Sequence, residues 1–443
     1  MNIGEGYRWN VPVITFGFER SFLDYFGSNG VVAVEAAMQI LNQVPPASQI
    51  NLQNYRSQAW RVNYRAQALG LLDLKSAALS LMLEQMGLAT PERYTYCLRD
   101  YQDIGASNYA FSVIQRNFDS ATAQPSACVN DTLFSYQIIR FTQSPTPTNS
   151  FADAFEFPVD PLADFFTTVA GFPPNTGSYA TNLSRDDVGG LRYLLSGSRV
   201  RFESLLPDVR AANTNASLVV DAYRPGIEKI AFVRHPTGLL SGEFLPFTNR
   251  WTDIYYSGDY PAYQPVERVI TRPDIVFAAQ DLGATVVCTR TGTTNWANNA
   301  DLNGNWDGPG PGVIQPGVVI SLNNTGPVHW NTGPYFLDQA TSMLVQAWGS
   351  FDGSTNPVTC YPVIQTVFQP TLFRLQLAVG NRTNDFRWFL SGAANGRFLL
   401  QTATTLTSWV TLTTLTNSGA DFDYEFHAIT NEASRYFRTI PVQ

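Results

Sequence analysis

Hydrophobic positions near the start of the chain change from a strand pattern to a helix pattern. Residues 7–18 (YRWNVPVITFGF) are aromatic and β-branched, with a proline in their first half, which predicts a buried strand. After the turn sequence GSNG, apolar residues recur at helical spacing in VVAVEAAMQILNQV, residues 31–44, and two prolines end the run. The pattern therefore predicts a strand followed by a helix.

A second helix is predicted in LKSAALSLMLEQMGLAT, residues 74–90. Asp73 can cap its first turn, and Gly87 can end it. Apolar side chains at helical spacing form one broad face, which predicts that this helix packs in the core. The residues on this face are Ala78, Leu79, Met82, Leu83 and Met86.

The middle of the chain changes from turn-rich sequence to strand patterns. Turn signals are frequent in residues 101–181, and a helix is predicted at residues 184–195, with Ser184 as its N-cap and Asp187 three positions later. From residue 200 onward, short apolar runs such as KIAFVR, DIVFAAQ and GVVISL alternate with Gly, Pro and Asn turns. These runs predict a β-rich region.

Three domains are predicted, since 443 residues are many for one hydrophobic core. Evenly spaced strand patterns near the end of the chain predict a small β-sandwich. We therefore expect a multidomain α+β protein with an α/β domain at residues 1–197, a β-rich domain at residues 198–369 and a β-sandwich module at residues 370–443.

Composition and charge narrow the class of protein. The chain is 44% hydrophobic and 14% charged, as expected for a globular protein. Its net charge of −8 argues against nucleic-acid or anionic-membrane partners, and no apolar run has the length of about 18 residues that a membrane helix needs. Only two lysines, Lys75 and Lys229, are present, so Asn, Thr, Ser, Gln and Arg carry the polar surface. We interpret this composition as that of an extracellular protein.

The cysteines and the first residues of the chain also bear on whether the protein is extracellular. Four cysteines with wide spacing and no CxxC favour disulfides, and of the three possible pairings we favour Cys97–Cys128 and Cys288–Cys360, because each closes a loop within one predicted domain. Four buried thiols are the alternative. The start, MNIGEGYRWN, lacks the basic and apolar regions of a signal peptide. The protein is then either cytosolic or numbered from a processed end, and we expect the second.

The first 190 or so residues resemble the matrixin branch of the metzincin metallopeptidases. In that family a strand that begins with an Arg-Trp pair precedes a long helix and then an HExxHxxGxxH zinc helix, and Arg8-Trp9 begins the first strand here. Residues 183–195, LSRDDVGGLRYLL, are similar to the LSxDDxxGLxxLY helix that closes many matrixin domains. The resemblance implies a metzincin-like fold for this part of the chain.

The zinc chemistry of that family is missing from the matching positions. Aligning the motif's glycine on Gly87 places Ser80, Glu84 and Thr90 at the three metal-ligand positions and Leu81 at the general-base position. Catalytic zinc needs three strong ligands and a carboxylate base, and only Glu84 can bind a metal. We therefore expect that the protein is not an enzyme. A hydrolase with unfamiliar catalytic residues is the least favoured hypothesis.

The sequence NADLNGNWDGPGPG contains a candidate calcium loop, and no other cofactor is predicted. Its side-chain oxygens alternate as they do in calcium loops, but Trp306 replaces the sharp-turn glycine of an EF-hand and no glutamate occupies the twelfth position. A glycine-rich surface loop held by Asx turns is the alternative. The candidate ligands are Asp301, Asn303, Asn305 and Asp307.

The C-terminal module contains the apolar runs FRWFLSG, RFLLQTATT, WVTLTTLTN, DYEFHAI and RYFRTIPV, between residues 386 and 442. With these runs it resembles the terminal β-sandwich of large secreted proteins of environmental bacteria, which implies a surface or sorting role. With the lysine-poor surface and 13% aromatic residues, this favours a non-catalytic structural protein. We expect a homo-oligomeric or polymeric subunit of an extracellular filament, sheath or surface layer at a bacterial cell surface. The alternative is a monomeric secreted protein that binds a glycan or a peptide in a vacant groove beside Ser80 and Glu84.

Overall fold

The protein is a strand-rich α+β chain with two compact units, Met1–Val363 and Ile364–Gln443. The predicted boundary at residues 197/198 therefore does not separate two units, and the second unit begins at Ile364 where we predicted residue 370. The computed structural model describes residues 1, 6–92, 95–106, 108–141, 151–170, 175–213, 217–238, 242–279, 312–323, 326–330, 347–354, 358–362, 374–379, 385–391, 397–403, 408–416, 421–427 and 436–441.

The described helices and strands have the following bounds. The helices are α1 (Arg20–Gln43), α2 (Tyr64–Ala68), α3 (Leu74–Gln85) and α4 (Arg185–Leu195). The strands of the first unit are β1 (Val13–Phe18), β2 (Trp60–Val62), β3 (Leu71–Asp73), β4 (Tyr96–Gly105), β5 (Asn108–Gln115), β6 (Cys128–Val129), β7 (Thr132–Phe141), β8 (Phe151–Pro158), β9 (Ser178–Ala180), β10 (Arg201–Ser204), β11 (Val209–Ala211), β12 (Asp221–Arg224), β13 (Ala231–Arg234), β14 (Phe247–Ser257), β15 (Tyr260–Ile270), β16 (Ile275–Ala278), β17 (Val318–Asn323), β18 (Gly326–Trp330), β19 (Ala347–Ser350) and β20 (Thr359–Tyr361).

The strand predicted near the start lies inside a mixed sheet of order β13-β1-β16-β17-β18. β1 pairs in parallel with β13 and β16, β17 continues the parallel part, and β18 is antiparallel. The sequence of β1, VITFGF, is apolar at almost every position, as is usual for parallel strands that are covered on both faces. Because its partners come from beyond residue 230, the first two predicted domains share one sheet.

Helix α1 begins eleven residues before its predicted start, at Arg20 where we predicted residue 31. Phe22 and Phe26 extend its apolar face by one turn, with ring centroids 4.8 Å apart. The predicted turn becomes a kink inside the helix at Gly27, with φ 60° and ψ −160°. Burial of the two phenylalanines compensates for the break in the helix.

Helix α3 has the predicted ends, and more of its surface is buried than the sequence predicted. The Asp73 carboxylate accepts the amide hydrogen of Ser76 at 3.0 Å, which confirms the N-cap, and Gly87 follows the helix with φ +95°. Ser80, Glu84 and Gln85 are buried together with the apolar residues, and Lys75 is the one residue of the helix that is not buried. The prediction that this helix packs in the core is confirmed, and its burial extends beyond the predicted apolar face.

A second sheet is antiparallel, with the order β10-β12-β14-β15-β11 and the long hairpin β14–β15. One face is buried and holds paired polar groups. The Arg224 guanidinium donates to the Asp253 carboxylate at 3.0 Å, and the Gln264 amide donates to the same carboxylate at 2.7 Å. This face therefore satisfies its buried charges internally.

The second unit contains six described strands, β21 (Arg374–Val379), β22 (Asp385–Ser391), β23 (Arg397–Ala403), β24 (Val410–Thr416), β25 (Asp421–His427) and β26 (Tyr436–Pro441). Five of these six strands follow the predicted apolar runs, from FRWFLSG to RYFRTIPV, and the strand Arg374–Val379 precedes them. The six strands form two three-stranded antiparallel sheets, of order β21-β22-β25 and β24-β23-β26.

The cysteines do not form the predicted pairs in this structure. Cys128 and Cys360 are exposed free thiols. Cys97 lies on β4 and Cys128 on β6, which belong to different sheets, while Cys288 lies outside the described residues. Sequence spacing measures the length of a loop and carries no information on which strands become neighbours. Within the described part of the chain, no helix is long and apolar enough to cross a membrane.

We predict that Gly87→Ala destabilises the fold by about 3 kcal/mol or more, measured by urea unfolding. A β-carbon at this position would overlap the backbone carbonyl oxygen of Tyr7, in addition to the cost of its positive φ. Gly105→Ala is the matched control, because Gly105 has φ +87° but no atom within 4 Å of the added carbon. Equal losses in the two variants would show that the overlap with Tyr7 is unimportant.

Candidate binding cleft

The positions predicted for a lost zinc site lie in the core. Ser80, Leu81, Glu84 and Thr90 are 2%, 4%, 7% and 0% exposed. Within the described part of the chain, Ser80 and Glu84 are therefore core residues and do not line an open groove. Among the described residues, no three His, Cys, Asp or Glu side chains are grouped so that they could hold a metal.

The predicted calcium loop lies outside the described residues, since all four candidate ligands fall between residues 280 and 311. The calcium prediction is therefore neither supported nor contradicted by the geometry. Its ligands are Asp301, Asn303, Asn305 and Asp307.

A cleft of about 520 Å³ lies at the two-stranded sheet of β2 and β9. One side comes from β2 and the start of α2, and the other comes from residues 164–168. Four aromatic rings and several amide, hydroxyl and charged groups face the space. The lining residues are Gln58, Trp60, Arg61, Val62, Tyr64, Asp164, Phe165, Phe166, Thr168, Asn175 and Ser178.

Local structure positions the first wall. Trp60 pairs with Ala180 across the two strands, and its indole N–H donates to the Thr168 carbonyl at 2.7 Å. Asn63 caps α2 by accepting the amide hydrogen of Ala66 at 3.0 Å. Tyr64 is consequently the first residue of a short helix, and its side chain is 79% exposed. The cap thus places an exposed ring at the rim of the cleft.

The opposite wall is fixed by two buried carboxylates. Glu92 accepts the backbone N–H groups of Thr167 and Thr168, both at 2.8 Å, and the Thr168 hydroxyl at 2.5 Å. Asp187 accepts the next two backbone N–H groups, those of Val169 and Ala170, both at 3.0 Å. Four successive amides are therefore held by acidic side chains from distant parts of the chain.

The pKa values of both carboxylates are shifted. Burial raises the pKa of Glu92 and of Asp187, and their hydrogen bonds oppose that shift. Asp187 also accepts the Ser184 amide hydrogen at 2.8 Å, which completes the capping box predicted for α4. The sequence pattern indicated this cap, but nothing in it indicated the contact with residues 169 and 170.

The polar groups of the cleft are suited to binding. The Gln58 amide donates to the Asp164 carboxylate at 2.9 Å and accepts the Trp60 backbone N–H at 3.0 Å. Arg61 supplies a guanidinium, so the lining carries one positive and one negative group. Asp164 is the single acidic residue among the described lining residues, whereas most glycoside hydrolases use two carboxylates.

Sequence reasoning missed this site because its two walls are about one hundred positions apart. The sequence DFFTT, residues 164–168, was a usable signal. Two adjacent phenylalanines in a turn-rich segment indicate a binding surface, because loops lie on the protein surface and often carry binding residues. Comparisons with known proteins give no further guide to the site. No family model matches the chain, and neither a curated protein nor a solved structure is significantly similar to it.

We predict a pH-dependent stability difference between the wild type and Glu92→Gln. The pKa of Glu92 is raised in the folded protein from a reference value of 4.5, so the folded state binds the proton more tightly than the unfolded chain. The wild type should therefore lose stability relative to the variant as pH rises from 4.5 through the folded-state pKa, by up to about 1.4 kcal/mol per pH unit.

Urea unfolding of both proteins across this pH range measures the difference. Glu35→Gln is the control, because Glu35 forms an exposed ion pair with Arg234. A stability difference for Glu92 that grows in favour of the wild type with rising pH would contradict the assignment.

Proposed function

We propose that the protein is a non-catalytic binding protein that holds an uncharged oligosaccharide in the cleft between β2 and residues 164–168. The observation that carries this proposal is the cluster of four aromatic rings, those of Trp60, Tyr64, Phe165 and Phe166, around a polar cleft. Binding of a glycan or peptide was the alternative function that the sequence suggested, and we now propose a different site for it.

The chemistry of the lining favours a glycan over other ligands. Sugar rings have apolar C–H faces that can pack on aromatic rings, and their hydroxyl groups need donors and acceptors at the edge. The cleft supplies both, with Gln58, Asn175 and Ser178 beside the rings. One guanidinium and one carboxylate cancel in formal charge, so the lining has no preference for an anionic or cationic ligand.

Three further features are proposed together with this function: the origin of the first unit, the fold of the second unit and the location of the protein. We propose a metzincin-like origin for the start of the first unit, supported by the Arg8-Trp9 pair and the capped helix α4. The β-sandwich proposed for the second unit is supported by its two three-stranded sheets. An extracellular location is proposed from the lysine-poor composition.

We predict that Tyr64→Ala weakens glycan binding at least about tenfold, equivalent to about 1.4 kcal/mol, without changing stability. The side chain is 79% exposed, so its loss removes a binding surface and leaves the core intact. Tyr260→Ala is the matched control, since Tyr260 is also 79% exposed but lies at the start of β15.

The ligand is found by screening the labelled full chain on an array of neutral and charged glycans, and affinities are measured by calorimetry. Failure to bind any neutral glycan, or equal affinities for both tyrosine variants, would refute the proposal. Binding of extended peptides alone would favour the peptide alternative. Hydrolysis of a bound glycan that is lost in Asp164→Asn would show that the protein is an enzyme.

A further inference from the structure

The outer face of the second sheet carries a row of three aromatic side chains, two of which are exposed and one partly exposed. Phe202 on β10 lies opposite Tyr223 on β12, and Tyr223 lies opposite Tyr256 on β14. Phe202 is 61% exposed and Tyr223 is 56% exposed, and their rings meet edge to face at 5.4 Å between centroids. Residues opposite one another across antiparallel strands share a face, so these rings line up across three strands.

A second apolar row lies directly beside the first. Ile254 and Tyr263 are cross-strand partners on β14 and β15. They are 40% and 64% exposed. Ile254 is two residues from Tyr256 on the same strand, so it lies on the same face. The two rows form one exposed patch on the side of the sheet away from the buried Arg224–Asp253 pair.

The two ends of this patch carry opposite charge. At one end, Arg250 and Arg210 both donate to the Glu267 carboxylate at 2.9 Å, and their side chains are 72% and 64% exposed. These donors, Arg250 first, hold the pKa of Glu267 below its usual value, so the group of three carries a net charge of +1. At the other end, Asp221 follows the aromatic row two residues beyond Tyr223.

Distances along the strands show where the middle of the patch lies between the two charged ends. Six residues of β14 separate Tyr256 from Arg250, which corresponds to about 20 Å along the strand. Asp221 lies about 7 Å beyond the aromatic row in the opposite direction. The middle of the patch is therefore the level of Ile254 and Tyr263, with the basic group on one side and the acidic group on the other.

We propose that this face binds a second copy of the chain in a two-fold symmetric dimer. A two-fold axis at the level of Ile254 and Tyr263, perpendicular to the strands in the plane of contact, brings the basic end of each copy against the acidic end of the other. The row of Ile254 and Tyr263 then lies across the same row of the second copy, and the first aromatic rows of the two copies lie on opposite sides of the axis. A face whose ends complement each other under such a rotation matches itself, as an isologous interface requires.

This interface gives a closed dimer and not a filament, because an isologous contact uses the same patch on both copies. It therefore differs from the polymeric subunit that the sequence suggested. The patch shares no residue with the cleft, so the dimer and glycan binding are independent. Loss of one in a variant should leave the other unchanged.

Sedimentation velocity of the full chain, from low to high micromolar concentration, tests the proposal. The wild type should form dimers as concentration rises. Phe202→Thr with Tyr263→Thr should weaken the dimer at least about tenfold, since threonine preserves strand propensity but removes the rings. Circular dichroism checks that this variant is folded. A wild type that stays monomeric, or a dimer that survives in the folded variant, would overturn the proposal.

Charge reversal tests the orientation of the two copies. Arg250→Asp and Asp221→Arg should each weaken the dimer about fivefold, because each change acts twice in a symmetric interface. The double variant exchanges the two ends and should restore the affinity to within about twofold. Arg20→Asp is the control, since Arg20 forms an exposed pair with Asp24 within α1. A double variant that binds no better than the single variants would overturn the proposed arrangement.

Discussion

The first unit depends on one buried guanidinium, that of Arg8. It donates to the Glu203 carboxylate at 2.6 Å and to the backbone carbonyls of Leu194, Arg199 and Arg224. A buried charge that lost these partners would cost several kcal/mol, so the four acceptors must stay together in the folded state. The next residue, Trp9, donates its indole N–H to the Gln85 carbonyl at the end of α3. Two adjacent residues thus connect the ends of α3 and α4 with the second sheet.

This anchor explains why the first 363 residues form one compact unit. The strand that follows Arg8 and Trp9 is completed by strands from residues 231–323, and the guanidinium itself is neutralised by Glu203 of β10. Neither half of the unit can bury its apolar strands or satisfy its charges alone. Sequence patterns suggested a boundary at residue 197 because composition changes there. The change marks where helices give way to strands, and the core continues across it.

Buried carboxylates hold one wall of the cleft in place, as the Arg8 guanidinium holds the elements around it. Glu92 and Asp187 bind four successive amides and so fix the wall that carries Phe165 and Phe166, while the Trp60 indole ties the other wall to Thr168. A binding surface made from loops needs such support if its rings are to keep a fixed spacing. The cleft and the outer face of the second sheet are therefore separate surfaces of one unit, one concave and polar at its edge, the other open and aromatic.

The sequence alone determined the local structure. The strand around β1, the caps at Asp73 and Ser184 and the glycine that ends α3 follow from side chains within a few positions of one another, and all are present. Only the tertiary structure decided the partners of β1, the burial of Ser80 and Glu84, the free thiols at Cys128 and Cys360 and the meeting of residues 58–64 with residues 164–168. Periodicity reports which side of an element is apolar. It cannot report which distant segment covers that side, because this depends on contacts among all elements at once.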